Sequence, residues 1–155
     1  MRHKINVQID EDFAGDAEAR VLRAAARAAL EHQAAPVPGE LTIAVMSDEA
    51  LRRLNRDFLS EDRPTDVLSF PSAESDPETG ARYFGDIAVS FPTAHAQAAA
   101  GGHPVAAELQ LLTVHGVLHL LGYDHTQPDE QSRMWAAQAE ILRKLRSPIA
   151  GPAEL

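Results

Sequence analysis

The pattern of apolar residues predicts an α+β domain: a small mixed sheet of about four strands, one apolar helix packed centrally, and other helices flanking it. Three observations carry this. Ile5, Val7 and Ile9 alternate with polar residues, and so do Leu41, Ile43 and Val45, which marks half-buried strands. Longer stretches between and after them carry helical periodicity. Strands and helices do not follow a strict βαβ repeat, which favours α+β over a doubly wound sheet.

Taken in order, the strand around residues 5–9 is followed by an Ala- and Arg-rich stretch over about residues 16–32. Val21, Leu22, Ala25 and Ala29 fall on one side of it, so it is an amphipathic helix. Pro36, Pro38 and Gly39 break it, and the second strand follows. Ser47 is a good N-cap for a helix with Leu51, Leu54 and Phe58 on its apolar side. Pro64, Thr65 and Asp66 make a turn into a short buried strand over residues 67–70, and residues 71–80 read as a mobile loop. A strand around Ile87, Ala88 and Val89 precedes a short Ala-rich helix after Pro92. Gly101, Gly102 and His103 form a break, with Pro104 placed to open the apolar central helix. Pro128 suits the first position of a last helix, with Asp129 and Glu130 in its first turn and an apolar stripe of Met134, Ala137, Ile141 and Leu145. Residues 1–147 are expected to form one catalytic domain and residues 148–155 a frayed tail.

At 155 residues, 45% hydrophobic and 24% charged, the chain fits one globular domain. It has no cysteine, so any zinc must be held by histidine and carboxylate, and the composition suits a reducing cytoplasm. The first residues lack an apolar h-region, and no run approaches the length of a membrane span, so neither a signal peptide nor a membrane association is expected. The net charge of −9 argues against tight, sequence-independent nucleic-acid binding by bulk charge. Arg52, Arg53, Arg56 and Arg63 nevertheless cluster and are the candidate RNA-binding residues, although Asp57, Glu61 and Asp62 are interleaved with them.

The chemistry concentrates in one run, in which His115, His119 and His125 are the candidate metal ligands. His115 and His119 are one helical turn apart and share a face. Gly122 stands where such a helix can end, because Gly takes positive φ at little cost. The chain can then return His125 toward the other two. Three imidazoles leave a fourth position open, which is the mark of a catalytic rather than a structural zinc site. Without a metal, three imidazoles in so apolar a segment would each need a hydrogen-bond partner. The run matches the metzincin pattern H-E-x-x-H-x-x-G-x-x-H except that Gly116 replaces the glutamate that serves peptidases as general base. One zinc ion and a hydrolytic reaction are therefore expected, with proteolysis disfavoured. Nickel or iron would also accept three imidazoles.

Three segments together resemble the YbeY family, bacterial endoribonucleases that act in ribosomal RNA maturation. They are the H-G-x-L-H-L-x-G-Y-D-H run from His115 to His125, the P-T-D-V-L-S-F-P stretch from Pro64 to Pro71 with Leu54-Asn55 before it, and Gly85-Asp86-Ile87. The resemblance implies a zincin-like fold, zinc on the three histidines, cleavage of single-stranded RNA, and maturation of the 3′ end of small-subunit (16S) ribosomal RNA in late ribosome assembly. The implied partners are ribosomal RNA and the small ribosomal subunit or its proteins, with no DNA. One departure stands out. Family members often carry arginine after the aromatic residue of the second helix, whereas Leu59 follows Phe58 here.

No nucleophile or general base is identifiable from sequence. Asp124 could orient the imidazole of its neighbour His125, or simply cap the turn. Asp66 and Asp86 have ordinary turn or cap readings, Tyr123 reads as packing, and His3, His32, His95 and His103 as surface or capping residues. Two other functions stay open: a metal-dependent hydrolase on another substrate, and a non-enzymatic ribosome assembly factor with structural zinc.

Overall fold

A computed structural model describes residues 2–63, 65–123 and 127–149. Its sheet has four strands, β1 (Lys4–Ile9), β2 (Gly39–Met46), β3 (Val67–Pro71) and β4 (Arg82–Ser90), in the order β1-β2-β4-β3. The first three in that order are parallel, and β3 runs antiparallel to β4 at the edge. Five α-helices surround the sheet: α1 (Ala19–His32), α2 (Asp48–Leu59), α3 (Phe91–Gly101), α4 (Val105–Leu120) and α5 (Pro128–Lys144). This is the α+β arrangement that the patterning predicts. A short 3-10 turn, Glu11–Phe13, adds an element the periodicity does not signal.

Alternation along the strands sorts side chains to two faces. Leu41, Ile43, Val45, Ile87 and Val89 point to one face, under α1 and α4, where they are buried. Leu68 and Ala88 point to the other, where they meet Leu51 of α2. Helix α4 is apolar on nearly every side, as a helix enclosed by its neighbours must be. Leu109, Leu112, Val114, Val117 and Leu118 are sealed from solvent. Each such burial contributes roughly 1.5–3 kcal/mol, which fixes the helix firmly between the sheet, α1 and α5.

Two close approaches set the register near the edge strand. Gly85 has φ +136°, and a Cβ there would lie 2.2 Å from the Phe70 carbonyl oxygen. A Cβ on Gly116 would lie 2.8 Å from Ile87 Cγ2, so α4 and β4 touch at that point. The Ser69 hydroxyl donates to the Gly116 carbonyl at 3.1 Å and ties β3 to α4.

Two local expectations change. Phe58 does not join the apolar side of α2; it is 67% exposed and sits edge-on to Phe70, with ring centroids 5.8 Å apart. Leu51 is the α2 apolar residue that the core takes up fully. His3 is buried rather than at the surface, its Nε2 lying 3.1 Å from the Ala35 carbonyl oxygen. At the C-terminal end of the described residues, Ile149 packs against the core and the Ser147 amide donates to the Leu142 carbonyl at 3.0 Å. Residues 150–155 lie outside the described residues, as does Pro64 of the expected turn. Among the described residues no helix is long and apolar enough to cross a membrane.

Candidate metal centre and cleft

Helix α4 carries two of the three histidines and ends just after them. The Leu121 amide donates to the Val117 carbonyl, and Gly122 follows at φ +103°. The helix therefore stops where the sequence places its end, and Tyr123 lies outside it. The Nε2 atoms of His115 and His119 stand 3.1 Å apart, with their rings at 71° to each other. Two ligand nitrogens at the usual 2.0–2.1 Å from a tetrahedral zinc would be about 3.3 Å apart. The donor set and its spacing thus fit a zinc-type ion. His125 and Asp124 lie outside the described residues, and among those described no group of three His, Cys, Asp or Glu side chains converges.

The two imidazoles form the floor of a cleft of about 390 Å³ against the sheet edge. Its other walls include Leu112 from α4 and Thr65, Asp66, Val67, Leu68, Ser69 and Pro71 from β3 and the segment before it. The backbone of this wall has a definite orientation. The Ser90 amide donates to the Asp66 carbonyl and the Ser72 amide to the Phe84 carbonyl, so pairing with β4 alternates through Leu68 and Phe70. The N–H and C=O groups of Val67 and Ser69 consequently point away from β4, along the open edge. Asp66 is the carboxylate among the lining residues, and its Oδ2 accepts from Gln97 Nε2 at 3.4 Å.

Behind the site lies a residue that the sequence reading did not single out. Gln138 of α5 is fully buried, and its Oε1 is 2.9 Å from His115 Nδ1. The available signal was a polar side chain set into the apolar stripe between Met134 and Ile141. Asn55, part of the second sequence signature, has a positional role too. Its buried Nδ2 donates to the Arg63 carbonyl at 3.0 Å, holding the segment that leads from α2 to the cleft wall.

None of the four candidate arginines lines the cleft. Arg52 pairs with Asp62 at 2.8 Å, Arg56 with Asp57 at 3.0 Å and Arg63 with Glu61 at 3.0 Å, all largely exposed. Among the described residues Arg53 has no ion pair, and it is exposed. Asp86 is on the opposite sheet face, where it accepts a 2.5 Å hydrogen bond from Tyr83. Burial, with that bond adding to it, pushes the Tyr83 hydroxyl up to about 12. Tyr123 packs against the core as expected. His103 pairs with the buried Glu108 at 2.6 Å, His32 lies 3.4 Å from Glu140, and His95 is exposed beside Phe91.

Gly116 also gains a physical explanation. Position 116 faces the Ile87 side chain, so a glutamate there would have to displace that buried side chain. Close packing of α4 on β4 favours glycine at the position where peptidases carry their base.

Comparison with known proteins agrees with this architecture. The family model "Endoribonuclease YbeY" matches residues 4–146. A protein of that name from Chloroflexus aurantiacus is 46% identical over 154 residues, covering 96% of this chain and 99% of its own length. Another from Salinispora tropica is 37% identical over 153 residues, covering 92% and 98%. A solution structure of a Thermotoga maritima protein shares the fold, with a TM-score of 0.58 at 24% identity and 94% coverage of each chain. By the family model over residues 4–146 and relatives matched over more than nine-tenths of its length, the chain belongs to the endoribonuclease YbeY family.

Proposed function

We propose that this endoribonuclease is zinc-dependent and cuts single-stranded RNA, and that it matures the 3′ end of small-subunit ribosomal RNA in the cytoplasm during late ribosome assembly. The observation that carries the metal dependence is the convergence of His115 and His119 Nε2 atoms, 3.1 Å apart, on the floor of a cleft. His125 would complete the ligand set. When bound, zinc supplies a Lewis acid for a phosphoryl oxygen and makes water more acidic. The chain's own residues do the rest. The open edge of β3 offers the Val67 and Ser69 amides as hydrogen-bond donors to a strand laid along it. Asp66 presents a carboxylate at the cleft wall. A single strand can bend to bring one phosphate to the floor more readily than a stiff duplex. The ribosomal assignment is supported by the family resemblance of the three sequence signatures.

The test uses metal-loaded, ribonuclease-free protein against single-stranded RNA, duplex RNA and casein. The single strand should be cut fastest and casein left intact. His119→Ala should lose zinc and at least about a hundredfold in cleavage rate. Undiminished RNA cleavage by His119→Ala would refute the metal-dependent reading, and zinc-dependent proteolysis without RNA cleavage would refute the substrate.

A further inference from the structure

We infer that Gln138 is a positioning residue: it fixes His115 in the tautomer that presents Nε2 to the metal. The inference rests on the metal centre proposed above, but its central readout does not need a metal.

Gln138 Oε1 is a carbonyl oxygen and can only accept, so at 2.9 Å it requires His115 Nδ1 to carry the proton. A neutral imidazole has one N–H, so its Nε2 keeps a lone pair. Nε2 is the atom that converges with His119. If the amide were reversed, its NH2 would donate to Nδ1, and the proton would move to Nε2 and block ligation. The orientation of one buried amide therefore decides whether His115 is ready to bind.

The cost of the arrangement argues that it is more than packing. Gln138 has no solvent exposure, and its Nε2 has no hydrogen-bond partner among the described residues. An unpartnered buried amide is unfavourable. A leucine would fill a similar volume beside Met134, Ile141 and Leu142 without that penalty. The contact with His115 is the compensating interaction. It also holds the ring from behind: α5 packs on α4, and the bond links the two helices through the ligand itself.

The experiment compares the full chain with Gln138→Leu and Gln138→Glu. Long-range proton–nitrogen NMR of the metal-free proteins reads the His115 tautomer, chelator competition reads zinc affinity, and thermal unfolding reads the fold. The wild type should show His115 protonated at Nδ1. Gln138→Leu should lose that preference and bind zinc about 10- to 100-fold more weakly, with unfolding temperature unchanged or raised. Gln138→Glu retains an acceptor oxygen and should recover most of both. If Gln138→Leu fails to fold, Gln138→Met takes its place. An unchanged His115 tautomer in the apolar variant, or no recovery by Gln138→Glu, would overturn the inference. Absence of zinc binding by the wild type would instead refute the metal centre, with the tautomer measurement still deciding the role of Gln138.

Discussion

On one side of β3 lies the cleft of about 390 Å³ with His115, His119 and Asp66; on the other lies a groove of about 690 Å³ between the sheet and α2. The groove is lined by Met46, Leu54, Phe58 and Phe70, with Tyr83 and Asp86 bonded to each other on its floor. It is the larger hollow and the more apolar one, yet Thr42, Tyr83 and Asp86 in its lining are hydrogen-bonded among themselves. The cleft is smaller, and its polar nitrogens face a common point while Gln138 holds one of them from behind. Convergence of donor atoms, rather than volume, distinguishes the side of the strand proposed as reactive. The two sides also differ in rigidity of support. The cleft floor belongs to a helix buried on nearly all sides, whereas the groove is bordered by α2, whose Phe58 and Leu59 stand in solvent.

The largest expected effect comes from breaking the wall that both sides share. Gly85→Ala would place a methyl group 2.2 Å from the Phe70 carbonyl oxygen at a backbone φ of +136°. The wall cannot yield cheaply, since the methyl would meet a backbone carbonyl rather than the end of a flexible side chain. We expect a loss of about 3 kcal/mol or more in urea unfolding, from overpacking and backbone strain together. A variant as stable as the wild type would mean that β3 is not held against β4 as described.

A change confined to the cleft side should be smaller in stability and larger in metal binding. Gly122 has open space around its Cβ position, so only its φ of +103° opposes a side chain. Gly122→Val should cost roughly 1–3 kcal/mol and lower zinc occupancy, because the chain leaves α4 there on its way to His125. Elemental analysis of the purified variant checks this. Wild-type zinc content would show that the turn does not set the third ligand's position.

The contrast between the sides also explains what could be read in advance. The strands, the helix ends at Ser47 and Gly122, and the pair His115 and His119 follow from local rules: alternation, capping and one-turn spacing. Gln138 follows from no local rule. It is 23 residues from His115, and only the packing of α5 on α4 brings them together. Phe58 failed for a related reason. Helical phase put it on the apolar side of α2, but the helix outruns the small cluster of Leu51, Leu68 and Ala88 that it covers. The role of Gly116 was legible as a chemical absence and hidden as a packing requirement, because Ile87 lies 29 positions earlier in a different element.

The smallest effects should come from the arginines, which belong to neither hollow. Arg52, Arg56 and Arg63 each have an exposed carboxylate partner, and such pairs contribute at most about 1 kcal/mol. A phosphate can displace the partner, but the gain is then the difference between two similar interactions. Arg53 gives up no ion pair among the described residues, so a phosphate contact there keeps its full electrostatic value. Single alanine substitutions should leave unfolding free energy within about 0.5 kcal/mol of the wild type. In RNA binding measured across a salt series, Arg53→Ala should lower the slope of log affinity against log salt by about 0.7, the amount for one phosphate contact on a single strand. Arg52→Ala, Arg56→Ala and Arg63→Ala should lower it by less. If one of these three changes the slope more than Arg53→Ala does, its ion pair opens on RNA binding, and the strand passes nearer to that arginine than to Arg53.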